Sequence, residues 1–261
     1  MMCAHIWAAG VILYEYPFHE RIRTYLRLEH LLRRLGELLA RPAPLDHHFA
    51  LITLFEIVEV ANRADLKPDL MRDLDRHKSQ FAALRGNPAV AEATLEQALQ
   101  RIDHAITRLI QQPGKIGAEL LEHEWLTSVR SRVAIPAGTC SFDLPAYHAW
   151  QHRPAKERLH DLNGWVQTLA PVGEAVQLLL QLLRQSGRTQ RVMAQAGQYQ
   201  QNLPAGRGFQ LLRLSIDGAL GLAPEISGNR LVVAIRLLRQ GEDGRWSAAK
   251  EDAVFDLTLC A

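Results

Sequence analysis

Residues 11–39 read VILYEYPFHERIRTYLRLEHLLRRLGELL, and two different periods meet inside them. Val11 to Tyr14 is a short apolar run with β-branched and aromatic members, the pattern of a strand. From Ile22 onward, Tyr25, Leu28, Leu31, Leu32, Leu35, Leu38 and Leu39 recur three or four residues apart and line one face of a helix. Pro17 lies between the two. A proline at the first helical position gives up only an N–H that would lack a partner, so the helix is expected to open near Pro17.

The helical period continues downstream. A second helix is expected over about 46–62 (Leu51, Leu54, Phe55, Val58) and a third from Pro68 to about Arg85 (Leu70, Leu74, Phe81, Leu84), stopped by Gly86-Asn87-Pro88. A fourth covers about 89–112 with Leu95, Leu99, Ile102, Ile106 and Leu109, ended by Pro113-Gly114. Further helices are predicted over 118–132, 154–169 and 171–185. Each hides only one face, so they must pack on one another. After Gly187 the runs shorten to strands at 211–216, 231–238 and 254–259. Gly241-Glu242-Asp243-Gly244 is expected to join the last two as a hairpin, because Asp-Gly tolerates positive φ. A lone hairpin is barely stable in water, so the N-terminal strand is expected to pair with the C-terminal ones. The reading is α+β: a predominantly helical bundle domain over 17–187, and a small, mostly antiparallel β-sheet domain formed by 11–16 with 188–261. Residues 1–10 are read as an unordered leader, since they lack the basic start of a signal peptide.

The 261 residues are 48% hydrophobic and 22% charged, which excludes wholesale disorder. Thirty basic against 28 acidic residues leave a net +2, so global charge gives no argument for nucleic acid. Three cysteines (Cys3, Cys140, Cys260) fit reduced thiols better than a disulfide framework. No stretch approaches the ~18 consecutive apolar residues of a membrane span. The expectation is a soluble cytoplasmic protein with no membrane partner.

Enzyme motifs are mostly absent. His123-Glu124 lacks the second histidine of a zinc-protease helix, Gly114-Lys115 is not a phosphate-binding loop, and Gly206-Arg207-Gly208 lacks a third glycine. No Cys-x-x-Cys pair exists, and no metal or cofactor is expected. Cys140, Asp143 and His148 contain the elements of a thiol–imidazole nucleophile. Pro136, Gly138 and Pro145 instead mark a turn-rich connector, with Phe142 and Trp150 expected to anchor it in a core. Trp125, Trp150 and Trp165 are read as core, and His47-His48 as a surface pair.

The distribution of charge carries more information. No acidic residue lies between Ala175 and Ile216, while Arg184, Arg188, Arg191, Arg207 and Arg213 do. On the first helix, Arg23, Arg27, His30 and Arg34 share one face. For any one arginine a solvated face balanced by Glu20, Glu29 and Glu37 suffices. Together they point to an anionic partner, because a guanidinium fork suits carboxylate or phosphate.

Several longer stretches stand out together: Val11 to Pro17, Glu20 to Glu29, and Ile135-Pro136-Ala137-Gly138-Thr139-Cys140-Ser141-Phe142-Asp143-Leu144-Pro145 with His148 and Trp150. In the tail, Leu212-Arg213-Leu214, Pro224-Glu225-Ile226-Ser227-Gly228 and Ala234-Ile235-Arg236 join them. In order and spacing the chain thereby resembles the ZapD family of Z-ring-associated bacterial division proteins. The resemblance implies a non-enzymatic, dimeric, cytoplasmic adaptor at the midcell division site. Such an adaptor binds the C-terminal peptide of the tubulin-like protein FtsZ and bundles its filaments to stabilise the Z-ring. The same resemblance assigns peptide contact to Arg27, Arg130, Arg236 and His148, with Arg63 as a looser match. Glu124 and Val232 depart from the family's basic pattern. Arg230 is expected to replace the charge at Val232, since an offset of two on a strand keeps one face. The competing reading is a nucleic-acid-binding module using 175–216, which the near-zero net charge opposes. A Cys140–His148 hydrolase is a third.

Overall fold

The computed structural model describes residues 10–63, 66–204, 206 and 208–261. The expected leader falls almost wholly outside them. In chain order the elements are β1 (Val11–Pro17), α1 (Glu20–Leu39), α2 (Pro44–Arg63), α3 (Leu66–Ala82), α4 (Glu92–Gln111), α5 (Ala118–Glu122), α6 (Glu124–Val133), α7 (Pro145–Gln151), α8 (Ala155–Gln167) and α9 (Ala170–Gln185). Then come β2 (Arg188–Ala194), β3 (Gln198–Asn202), β4 (Leu211–Asp217), β5 (Leu222–Gly228), β6 (Val232–Gln240), β7 (Trp246–Ala248) and β8 (Ala253–Cys260). The fold is α+β. It divides into two compact units: residues up to Arg23 with Gln181–Ala261, and Thr24–Leu180.

The Thr24–Leu180 unit is built from amphipathic helices. On α1, Tyr25, Leu28, Leu31 and Leu35 are buried; on α4, Leu95, Leu99, Ile102, Ala105 and Leu109 are. Both follow the three-and-four spacing of a single apolar stripe. Helices α3 and α4 pack together, as do α2 and α8. Buried polar bonds cross this core, among them that of Tyr25, which donates to the Asp73 carboxylate at 3.0 Å. The helix expected over 118–132 is two helices. His123 interrupts it and restarts the chain, its Nδ1 accepting from Leu126 N. Residues 145–151, read as part of a connector, form α7 with Pro145 in its first turn.

The other unit is a two-sheet β structure. One sheet has the order β1-β4-β8-β2 and the other β3-β6-β5, with β7 on β6, and every pairing is antiparallel. The N-terminal strand does join the C-terminal ones: Ile12, Tyr14 and Tyr16 register with Ile216, Leu214 and Leu212. Phe255 and Leu257 of the first sheet and Val233, Ile235 and Leu237 of the second share one apolar core.

Three local expectations fail here, each for a physical reason. Pro17 does not open α1 but ends β1 opposite Leu211, where an edge strand tolerates a missing N–H. The turn at 241–244 joins β6 to the short β7, with Gln240 opposite Trp246, so β6 and β8 lie in different sheets. Strands β2 and β3 escape an apolar-run reading because most of their side chains are exposed and polar. Their hairpin uses Ala196 and Gly197, both at positive φ, with reciprocal 2.9 Å bonds between Gln195 and Gln198. A Cβ on Gly197 would sit 2.3 Å from the Ala249 carbonyl oxygen, so only glycine fits there.

Candidate functional site

Within the helical unit, Arg27 stands exposed on α1 and Arg130 exposed on α6. Arg34, on the same α1 stripe of cations, is committed internally to Thr53 (3.0 Å) and to the Glu56 carboxylate of α2. Arg23 pairs with Glu20. The cationic face of α1 is thus partly self-neutralised. Arg63 is the last residue of α2, and its side chain lies outside the described part.

A chain of turns leads from α6 to α7, with backbone bonds from Ile135 N to Arg132 O, Gly138 N to Ile135 O, Cys140 N to Ala137 O and Leu144 N to Cys140 O. His148 emerges on α7, exposed, its ring 4.4 Å from that of His152. Asp143 pairs with Arg132 at 3.9 Å. Among the described residues, no hydrogen bond joins the Cys140 thiol to the side chain of His148 or Asp143. Phe142, expected to anchor the connector, is 82% exposed, whereas Trp150 is 4% exposed. Trp150 packs with Tyr147, Trp125 and Trp165 and donates to Asp161 at 2.9 Å. The tryptophans form a structural aromatic cluster. The histidine pair also departs from expectation, because His47 is completely buried.

In the β unit, Arg236 projects from β6 and is held by Glu225, its register partner on β5, at 2.8 Å through Nε and 2.6 Å through Nη2. Both side chains are about half exposed, so a competing carboxylate can reach the guanidinium. Arg230 is not on a strand. It lies in the turn between β5 and β6, exposed, and the even-offset argument linking it to Val232 does not apply. Arg230 and Arg236 therefore stand on one hairpin.

The acid-free stretch 175–216 is neutralised in part by an acid from outside it. Glu15 of β1 accepts from Arg184 at 2.8 and 2.7 Å and from Arg213 at 3.0 Å. A sequence window cannot show this, because 169 and 198 residues separate Glu15 from its partners. Two of the five arginines on which a nucleic-acid face would rest are thereby spent on an internal ion-pair network. Among the described residues no group of three His, Cys, Asp or Glu side chains is placed to hold a metal ion, and no single helix is long and apolar enough to cross a membrane.

Comparison with known proteins gives the family. The family model described as ZapD, cell division protein, matches residues 26–236. The Cell division protein ZapD of Ralstonia pickettii (strain 12J) is 49% identical over 251 residues, covering 96% of this chain and 99% of the relative. With the family match covering well over half of the chain and the relative 96% of it, the chain belongs to the ZapD family of cell division proteins.

Proposed function

We propose that this protein is a cytoplasmic, non-enzymatic adaptor that acts at the midcell division site. It binds the C-terminal peptide of FtsZ and, as a homodimer, cross-links FtsZ filaments. Membership of a cell division family over residues 26–236 is the observation that carries this reading. The cations are its chemical means: Arg27, Arg130 and Arg230 stand exposed, and Arg236 is half exposed beside Glu225. His148 and Arg63 complete the proposed contact set. A two-fold dimer presents each peptide-contacting residue twice, so weak peptide binding becomes effective cross-linking through multivalency.

The test is co-sedimentation of the protein with GTP-polymerised FtsZ, intact and lacking its C-terminal peptide, at two salt concentrations. Bundling of the intact filaments alone, weakened at higher salt, is expected. Pelleting of truncated filaments to the same extent would overturn the peptide site. Arg236→Glu is expected to lose roughly 1–3 kcal/mol of peptide binding. Undiminished bundling by that variant would remove Arg236 from the site.

A further inference from the structure

His148 on α7 and His152 at its C-terminal end lie one helical turn apart, and both side chains are exposed. Their ring centroids are 4.4 Å apart, with the ring planes inclined at 58°. Two histidines four residues apart on one helical face are the pair on which helical zinc sites are built. With metal–nitrogen bonds of about 2.1 Å, two imidazoles sharing one ion place their ring centres roughly 4.5–5 Å apart. The two rings already stand close to that separation.

The tautomer of His152 is fixed. Its Nδ1 lies 2.8 Å from the His148 carbonyl oxygen. A carbonyl can only accept, so Nδ1 carries the proton and the neutral ring keeps its lone pair on Nε2. Metal-ligating histidines donate their second nitrogen to a backbone carbonyl in this way, which sets the orientation of the ring. Among the described residues no hydrogen bond or ion pair engages the His148 ring, so its lone pair is also open.

The backbone beneath the pair is held firmly, although a helix of seven residues would not persist alone. Tyr147 and Trp150 are buried and anchor the other face of α7. Beyond them, Arg158 donates to the carbonyls of Gln151 (3.1 Å) and Arg153. Arg153, the cation next to His152, is itself turned to Asp161 at 3.5 Å. Two ligands on a fixed backbone lose little freedom when they close on an ion.

We propose that His148 and His152 form a chelating site for a divalent transition ion such as zinc, each ligating through one ring nitrogen while water fills the remaining positions. Imidazole favours ions of this class over magnesium and calcium, which take oxygen ligands. A pair makes a weaker and more exchangeable site than the closed four-ligand sites of structural zinc. The inference does not depend on the peptide-binding reading above.

The experiment is labelling of histidines by diethyl pyrocarbonate, read residue by residue by mass spectrometry, on the full-length protein titrated with Zn2+ and, as control, Mg2+. The reagent attacks the imidazole lone pair, which a bound ion covers. His104 and His160 are exposed, have no second histidine four residues away, and serve as references. His148 and His152 are expected to become protected together, at a Zn2+ concentration at least tenfold below that which protects either reference. In His152→Gln the protection of His148 should fall back to the reference level, and His148→Gln should do the same to His152. Both positions are exposed, so neither variant should shift the thermal midpoint measured in EDTA. Protection of His148 that survives unchanged in His152→Gln would overturn the chelate. So would protection no stronger than that of the references, or equal protection by Mg2+, and the two rings would then be a stacked pair only.

Discussion

Arg158 donates through Nε to His47 Nδ1 at 3.0 Å, with both side chains buried. The same guanidinium donates to the carbonyls of Pro42 (2.7 Å), Gln151 (3.1 Å) and Arg153. It thereby fastens the approach to α2 to the connection between α7 and α8, and it is satisfied without any carboxylate. A planar fork with several fixed donors is the side chain that can do this. Arg158→Met should leave three carbonyls and His47 Nδ1 without donors and cost about 3 kcal/mol. A urea midpoint indistinguishable from wild type would show that water replaces the network.

The same bond makes stability depend on pH. Nδ1 of His47 accepts, so its proton sits on Nε2, and a second proton would break the bond and place two cations side by side. Burial first, and the Arg158 charge second, hold the His47 pKa below the ordinary 6.5. Burial also lowers His48 and His77. The unfolded chain therefore takes up protons below about pH 6.5 that the folded chain refuses. Stability should be full above that value and fall on acidification, by up to about 1.4 kcal/mol per pH unit for each such histidine until its folded pKa is reached. Urea unfolding between pH 7.5 and 5 measures this slope, and His47→Gln should reduce it by one histidine's share, leaving that of His48 and His77. A protein that gains stability on acidification over this range contradicts the assignment.

Glu15 carries two arginines on one carboxylate, with 17% of its side chain exposed against 23% for Arg184 and 30% for Arg213. Glu15→Gln keeps the shape and removes the charge, leaving two half-buried cations to repel each other. The expected loss is about 2 kcal/mol, below the full cost of a buried pair because water reaches both guanidinia. The variant should also be retained longer on an anionic resin than wild type, since one negative charge beside Arg184 and Arg213 is removed. Unchanged retention would mean that the acid-free segment was never masked by Glu15.

The helical stripes of α1 and α4 were legible because burial on one face imposes a period that survives in the sequence. The hydrophobic strands β4, β6 and β8 were legible for the same reason. What was lost is non-local or polar. Strands β2 and β3 expose most of their side chains, so their hairpin rests on two positive-φ residues that no hydrophobic pattern reveals. Asp-Gly at 243–244 correctly marked a turn, but turn chemistry does not say which strand follows, and β7 took the place expected for β8. His47 looked like half of a surface pair because its partner, Arg158, lies 111 residues away. At the candidate site, Arg27 could be read from charge spacing on α1, whereas Arg130, Arg236 and His148 came only from the family resemblance.

Phe142 and Trp150 both looked like core anchors in the sequence, and they part company in the fold. Trp150 is 4% exposed, stacks on Tyr147 with centroids 5.9 Å apart and donates to Asp161. Trp150→Ala should cost about 3–5 kcal/mol through the cavity it opens. Phe142, 82% exposed at the end of the turn chain, buries almost nothing, so Phe142→Ser should shift stability by no more than about 0.5 kcal/mol. An exposed aromatic held by such a fixed series of turns has contact area to offer a partner and none to offer its own core. Paired thermal melts of the two variants measure the contrast. Equal destabilisation by both would mean that Phe142 folds inward in solution, and its exposure would then have no bearing on partner binding.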